Sequence, residues 1–198
     1  MPILRSIAIL VALLSVVPAA YAQAPAPLQV PNEPVSYLGV TFPPEVGGAP
    51  RISVRSYEAD NPGLGYSAGY RHGEATSTIY IYDNRIPSIP DDLKSAAVRG
   101  QFDQAKADIG RMPQMSVKGK NAFTIQDKSK RDRLICQAYA LTRQQDPRTF
   151  DTFVCLGVFK GKFLKVRTTM PQTANAESEV RRFIGLWADQ LWSPSAAR

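Results

Sequence analysis

The sequence is poor in the side chains that most often carry metal-dependent or nucleophilic chemistry. Its 198 residues include one histidine, His72, and two cysteines, Cys136 and Cys155. One histidine cannot build a His-rich zinc site, and two cysteines far apart in sequence lack the spacing of a Cys₄ or Cys₂His₂ site. H-E-x-x-H, C-x-x-C, P-loop and EF-hand patterns are absent as well, and no G-x-S-x-G nucleophile elbow is predicted. The sequence therefore predicts no metal site, no cofactor and no catalytic residue, and its spacing nominates no serine or cysteine nucleophile that would use His72 as a base.

Long apolar runs are scarce too, and the one at the N-terminus is too short to span a bilayer. An arginine precedes an apolar core at Ile7–Val17, and Ala20–Ala22 has the A-x-A pattern of signal-peptidase cleavage. We interpret residues 1–22 as a signal peptide cleaved between Ala22 and Gln23, in preference to an uncleaved anchor. The expected location is the periplasm or the secreted fraction, and no transmembrane segment is expected after cleavage.

The rest of the chain is predicted to be a leader followed by one domain. Residues 23–34 contain four prolines and little to bury, which is typical of an extended leader. Residues 35–192 hold all the predicted strands and helices, and their number fits a single domain. Residues 193–198 are predicted to be a C-terminal tail.

Three apolar, β-prone runs between Arg133 and Met170 predict a three-stranded antiparallel meander. A polar cluster around Asp146-Pro147 and the turn Lys160–Lys162 separate the runs. A hairpin centred on the polar cluster places Cys136 opposite Cys155, and opposite residues share a face at nearly disulfide distance. In an oxidising compartment this register predicts a disulfide between them. The alternative is two buried free thiols that pack as small apolar groups.

A second predicted hairpin, from Tyr66 to Asp83, carries four tyrosines and the histidine. Closing its turn symmetrically about Glu74 pairs Tyr66 with Tyr82 and gathers five side chains on one face. They are Tyr66, Tyr70, His72, Tyr80 and Tyr82. The functional interpretation is an aromatic platform that stacks a sugar ring or another flat ligand. The structural interpretation is an aromatic core layer beneath a helix.

Two amphipathic helices complete the predicted fold. Apolar residues recur at spacings of three and four from about Asp92 to Arg111 and again from about Asn175 to Trp192. Strands, a helix, more strands and a closing helix predict an α+β domain, with two helices packed on a mainly antiparallel sheet of about six to seven strands. This element order resembles the Mog1/PsbP-like sandwich of small exported bacterial proteins such as the DcrB type. The resemblance spans most of residues 35–192 and implies a mostly non-enzymatic accessory or binding protein, with no site residues carried across.

Basic residues gather before the first meander strand and around the second meander turn. Antiparallel geometry puts both groups at the same end of the sheet, where they form a candidate patch for an anionic partner. Its members are Lys128, Lys130, Arg131, Arg133, Lys160 and Lys162. The partner would be an anionic envelope component or an acidic protein; nucleic acid is not expected, because no aromatics interleave with the basic run. The alternative is a solvated edge whose lysines oppose strand-to-strand aggregation.

These observations predict an exported envelope protein that acts as a non-catalytic accessory or ligand-binding module. The alternative is a small envelope hydrolase with a carboxylate pair, because such pairs leave no sequence motif. A third class is a structural envelope component that adheres through its basic edge. A binding module should show an aromatic or apolar cleft without paired, pKa-shifted carboxylates, whereas a hydrolase should show such a pair in a cleft.

Overall fold

The computed structural model describes residues 32–144 and 146–192, apart from the side chains of residues 146 and 147. The predicted signal peptide with its cleavage site, most of the predicted leader and the predicted tail lie outside the described residues. Within the described part, neither helix is long and apolar enough to cross a membrane.

An antiparallel sheet of eight strands forms the centre of the fold. The strands are β3 (Glu45–Val46), β4 (Ala49–Ser56), β5 (Tyr66–His72), β6 (Ala75–Tyr82), β7 (Met115–Gln126), β8 (Asp132–Arg143), β9 (Asp146–Phe159) and β10 (Lys162–Pro171). They lie in the order β3-β4-β5-β6-β10-β9-β8-β7. A separate two-stranded ribbon pairs β1 (Val35–Tyr37) with β2 (Val40–Phe42). The predicted fold class is confirmed, and the short β3 brings the sheet to eight strands.

One helix covers each face of the sheet. The helix α2 (Ala176–Trp192) packs on one face, and its buried residues include the predicted apolar stripe. The helix α1 (Ala96–Gly110) packs on the other face through Val98, Ala105 and Ile109. It begins four residues later than predicted, where the Ser95 hydroxyl accepts a hydrogen bond from the Val98 N–H group and caps the helix. The central strands are therefore buried on both sides.

The predicted meander is present as β8, β9 and β10, with β9 in the middle. Cys136 lies directly opposite Cys155, and the two are joined by a disulfide across a Cα–Cα distance of 4.0 Å. The register deduced from the turn position is therefore the observed one. Both cysteines are buried in the core beneath α2.

The buried Arg51 connects the β1–β2 ribbon to the sheet. Its guanidinium donates hydrogen bonds to the carbonyl oxygens of Phe42 and, at 2.7 Å, of Glu33. The Tyr70 hydroxyl adds a hydrogen bond to the Pro43 carbonyl at 2.9 Å. Phe42 then packs beside α2, with its ring centroid 5.8 Å from that of Trp187. The ribbon therefore closes the core on the α2 side.

Reducing the Cys136–Cys155 disulfide should lower the free energy of unfolding. The expected loss is roughly 3 kcal/mol, because the bond restricts the unfolded chain between residues 19 positions apart. Urea unfolding of the mature protein with and without dithiothreitol measures it. A Cys136→Ala/Cys155→Ala variant is the control, since its midpoint should not respond to dithiothreitol. An unchanged midpoint of the reduced wild-type protein would contradict the prediction.

Candidate functional site

The predicted aromatic face is divided between the two faces of the sheet. The strands β5 and β6 pair one residue away from the predicted register, so Tyr66 lies opposite Ile81 and not opposite Tyr82. Because side chains alternate along a strand, this single-residue difference places Tyr80 and Tyr82 on the face opposite Tyr66. The five side chains therefore do not form one platform, and that prediction is wrong.

The turn between β5 and β6 explains the difference. His72 pairs with Ala75, which leaves Gly73 and Glu74 as a two-residue loop. Gly73 has φ +59°, a conformation that glycine adopts easily and that two-residue hairpins require. Symmetric closure about Glu74 assumes a three-residue loop, and the glycine shortens it by one residue.

Three members of the predicted platform lie in the core beneath α2. Tyr70 is fully buried, and its ring meets the Trp187 ring edge-on at 5.4 Å. Tyr66 is also buried, and burial raises the phenol pKa of both tyrosines. The His72 ring stacks on Phe183 at 4.2 Å. These residues fit the structural interpretation, an aromatic layer beneath a helix.

The hydrogen bonds of His72 resemble half of a catalytic triad. Its Nε2 lies 2.8 Å from the Ser77 hydroxyl, which lies 2.6 Å from the Thr168 hydroxyl. Ser77 and Thr168 are both completely buried, so no substrate can reach either oxygen. Burial lowers the pKa of His72, and the nearby Arg182 lowers it further. The chain of hydrogen bonds is a core network that satisfies buried hydroxyls.

Residues 65–69 spell Gly-Tyr-Ser-Ala-Gly, which matches the G-x-S-x-G pattern of a nucleophile elbow. The structure places Ser67 inside β5 and not on a strand-to-helix turn. Its hydroxyl is 3.2 Å from the Tyr57 hydroxyl, and the residue is 5% exposed. Ser67 also points to the face opposite His72, because the two residues differ by an odd number of positions. The motif match is therefore coincidental.

Most of the predicted basic patch is paired with carboxylates. Arg133 contacts Asp127 at 2.7 Å and Asp91 at 3.4 Å, and Lys162 contacts Asp83 at 2.8 Å. Arg131 and Lys128 also face acidic partners, so four of the six basic residues are in ion pairs. The register does place Arg133 at the same end of the sheet as the β9–β10 turn, as predicted. That end of the sheet has mixed charge.

A cleft on the α1 face, about 380 Å³ in volume, brings together aromatic, amide and charged side chains. It lies between α1, the strands β6 and β10, and the loop that follows β4. We call it the Lys165 cleft; its lining residues are Tyr57, Leu64, Tyr80, Tyr82, Asn84, Gln101, Gln104, Asp108 and Lys165. It contains two tyrosines of the predicted platform, on the face that the corrected register gives them.

Lys165 is the positively charged residue of this cleft. Its Nζ lies over the Tyr80 ring at 4.5 Å from the centroid and 5.5 Å from that of Tyr82. Within the described residues it forms no ion pair and donates no hydrogen bond. Burial lowers the pKa of the Lys165 ammonium, while Asp108 opposes the shift and Arg167 adds to it. The cleft thus holds a cation that no neighbouring carboxylate contacts.

Tyr82 packs at the base of the cleft. The residue is 5% exposed, and its enclosed hydroxyl lies beside the Gln101 side chain. Burial raises the pKa of this phenol, so it keeps its proton, while the Gln101 side chain opposes the shift.

Glu58 positions the loop that forms one wall of the cleft. Its carboxylate accepts hydrogen bonds from the backbone N–H groups of Gly63 and, at 2.6 Å, Gly65. These bonds hold the pKa of Glu58 below its usual range. The loop presents Leu64, which is 46% exposed and is one of two large apolar side chains left exposed in the described chain. The apolar wall is therefore held in place by backbone geometry.

A larger groove of about 640 Å³ lies between α1 and the β7–β8 hairpin. Most of its charged groups have other partners: Lys106 pairs with Asp103 at 2.7 Å, and Asp132 accepts hydrogen bonds from Thr124 and Gln126. The groove has no buried polar atom without a partner. It therefore offers less specific chemistry than the Lys165 cleft. Among the described residues, no group of three His, Cys, Asp or Glu side chains could hold a metal ion.

Sequence reasoning missed Lys165, Tyr57 and Leu64 as members of one site. One signal was present: Lys165 interrupts a strand between the apolar Leu164 and Val166. In the folded protein this lysine lies in the middle of the sheet beside α1, where it is half-buried. The sequence alone did not show that α1 would partly enclose it.

Lowering the pH should destabilise the protein through His72. The pKa of His72 is lowered in the folded state, so the unfolded chain binds the proton more readily. Stability is therefore full above about pH 6.5, the ordinary histidine value, and falls as the pH drops toward the folded-state pKa. Urea unfolding at several pH values measures this slope. In a His72→Gln variant the slope above pH ~5 should flatten, and equal slopes in both proteins would refute the assignment.

Comparison with solved structures finds similarity to the solution structure of cyanobacterial PsbP (CyanoP) from Synechocystis sp. PCC 6803. The TM-score is 0.43 and the identity 12%, over 75% of this chain and 82% of that chain. No family model and no curated protein matches the chain. The chemistry of the cleft therefore has to be argued from the residues of this chain.

Proposed function

We propose that this chain is an exported, non-catalytic binding protein of the cell envelope and that its ligand occupies the Lys165 cleft. The observation that carries the proposal is the half-buried Lys165 ammonium, which lies between tyrosine rings without a carboxylate partner. Small-molecule sites combine apolar walls with a few placed polar groups, and the cleft has both. A partly buried charge without an ionic partner lowers the free energy of unfolding, and residues that destabilise the fold in this way are common at functional sites.

The carboxylates favour binding over hydrolysis. Four carboxyl groups have a shifted pKa, and all four shift downward: Glu58, Asp83, Asp127 and Glu177. In each case hydrogen bonds from backbone or side-chain donors outweigh the opposing effect of burial. A hydrolase that protonates its leaving group needs a carboxyl with a raised pKa. The Lys165 cleft holds one carboxylate, Asp108, and not a pair. The carboxyl groups with a shifted pKa therefore give no support to the hydrolase alternative.

Export and domain organisation are part of the same proposal. The signal-peptide pattern at residues 1–22 supports export, and the disulfide is compatible with an oxidising compartment. We place a leader at residues 23–34, one domain at 35–192 and a tail at 193–198. We do not extend the proposal to adhesion through the basic patch, because carboxylates already neutralise most of it.

Capture of a ligand from envelope extract tests the proposal. The mature protein is incubated with extract, repurified and examined by native mass spectrometry for a bound small molecule. We expect a bound species on the wild-type protein that is lost from a Lys165→Met variant. Lys118→Met is the matched control, because Lys118 is an exposed lysine on the edge strand β7 and lies outside the cleft. No bound species on the wild-type protein, or equal retention by all three proteins, would count against the proposal.

Removing the Lys165 charge should stabilise the fold. Methionine fills similar space, and the substitution removes a desolvated ammonium while losing a cation–π contact. The two effects partly cancel, so we expect the free energy of unfolding to rise by about 0.5–1 kcal/mol. Urea unfolding of Lys165→Met against Lys118→Met measures the difference. A loss of more than about 1 kcal/mol would assign Lys165 a structural role instead.

A further inference from the structure

We infer that the Lys165 cleft binds a small organic monocarboxylate with a compact aromatic or cyclic body, whose carboxylate takes the place beside Lys165 that no side chain fills. This inference rests on the proposed function and specifies its ligand class. Three features of the cleft support it: the kind of polar groups left unused, the net charge, and the size and nature of the walls.

The one charged group of the cleft that no described residue satisfies is a cation. Lys165 donates no hydrogen bond and forms no ion pair within the described residues, whereas the Asp108 carboxylate accepts a hydrogen bond from Gln104. The Gln101 side-chain oxygen accepts a hydrogen bond from the Asn84 amide at 2.8 Å, and the Gln101 side chain lies beside the enclosed Tyr82 hydroxyl. An unpaired ammonium complements a negatively charged group that only accepts hydrogen bonds. A carboxylate is such a group, and its bonds to charged donors are the stronger kind.

The charge balance limits the ligand to one negative charge. Asp108 lies on the α1 wall of the cleft, where Gln104 donates a hydrogen bond to its carboxylate at 2.8 Å. Arg167, the next cation along β10 on this face, directs its guanidinium to the Met112 sulfur at 3.2 Å and does not line the cleft. The cleft therefore contains one cation, Lys165, and one anion, Asp108, which do not form an ion pair. A dianion such as a phosphate monoester would meet Asp108 with no second cation to offset it.

The walls and the volume describe the rest of the ligand. Leu64 is 46% exposed, and it faces the cleft together with the rings of Tyr57 and Tyr82. The Tyr80 face is already covered by the Lys165 ammonium, so it is not free to stack. A volume of about 380 Å³ accommodates one ring with a short acidic side chain. Burying that ring against Leu64 supplies apolar contact that the free protein leaves exposed.

Three probes of nearly the same shape separate charge from shape. Phenylacetate carries the carboxylate, phenylacetamide replaces it with a neutral amide, and phenethylamine carries a positive charge. Binding to the mature protein is followed by NMR chemical-shift changes of the cleft residues and by calorimetry. We expect phenylacetate to bind at least tenfold more tightly than either analogue. Its affinity should fall tenfold or more in Lys165→Met, and it should be unchanged in Lys118→Met.

The outcomes distinguish this inference from the proposed function. If the amide or the amine binds in the cleft as tightly as phenylacetate, carboxylate recognition is overturned and the cleft remains a binding site. If none of the probes shifts the cleft resonances, or if Lys165→Met binds phenylacetate like the wild type, the inference fails. Capture of a ligand from envelope extract then still decides the proposed function independently. Lys165→Gln, which keeps polarity but not charge, should behave like Lys165→Met if the charge is what the ligand recognises.

Discussion

The fold depends on β10, which lies in the middle of the sheet, with α2 packed on one face and α1 beside the other. It joins the β3–β6 half of the sheet to the β7–β9 half through antiparallel ladders on both edges. The residues of this strand that face α2 are buried, so their polar groups need a specific partner. Thr168 meets this requirement through its hydrogen bond to Ser77. On the α1 side, Lys165 is half-buried and lies over tyrosine rings without contacting a carboxylate, and this arrangement locates the candidate site.

The two faces of the sheet have separate roles. The face beneath α2 is the larger core, which holds the disulfide, the network around His72 and most of the aromatic contacts. The face beneath α1 has two smaller apolar clusters with the Lys165 cleft beside them. The division places the proposed ligand site away from the residues of the larger core. It also explains why the lone histidine and the tyrosines beside it are structural although their side-chain chemistry is versatile.

The sequence predicted the fold class, the two helices and the meander because their signals are local. Short stretches of sequence show the apolar stripes of α1 and α2 and the turn between β8 and β9. The position of that turn predicted the Cys136–Cys155 register. The β5–β6 register was mispredicted because it depends on one residue of loop length, which Gly73 decides through its backbone conformation. The Lys165 cleft was not predictable, since its lining comes from four segments that only the folded sheet brings together. The pairing of the basic patch was missed for the same reason, because three of its acidic partners, Asp83, Asp91 and Asp189, are distant in sequence.

The anchoring of residues 63–65 by Glu58 has a consequence for how this protein can evolve. The bonds run from a carboxylate to backbone amides, so they do not depend on which side chain occupies position 64. Gly65 cannot be replaced, because a Cβ there would meet the Ile81 carbonyl oxygen at 1.9 Å. Leu64 is exposed, so other side chains can replace it without such a clash. Ligand preference can therefore drift through substitutions at one surface position while the supporting turn and the sheet beneath it stay the same.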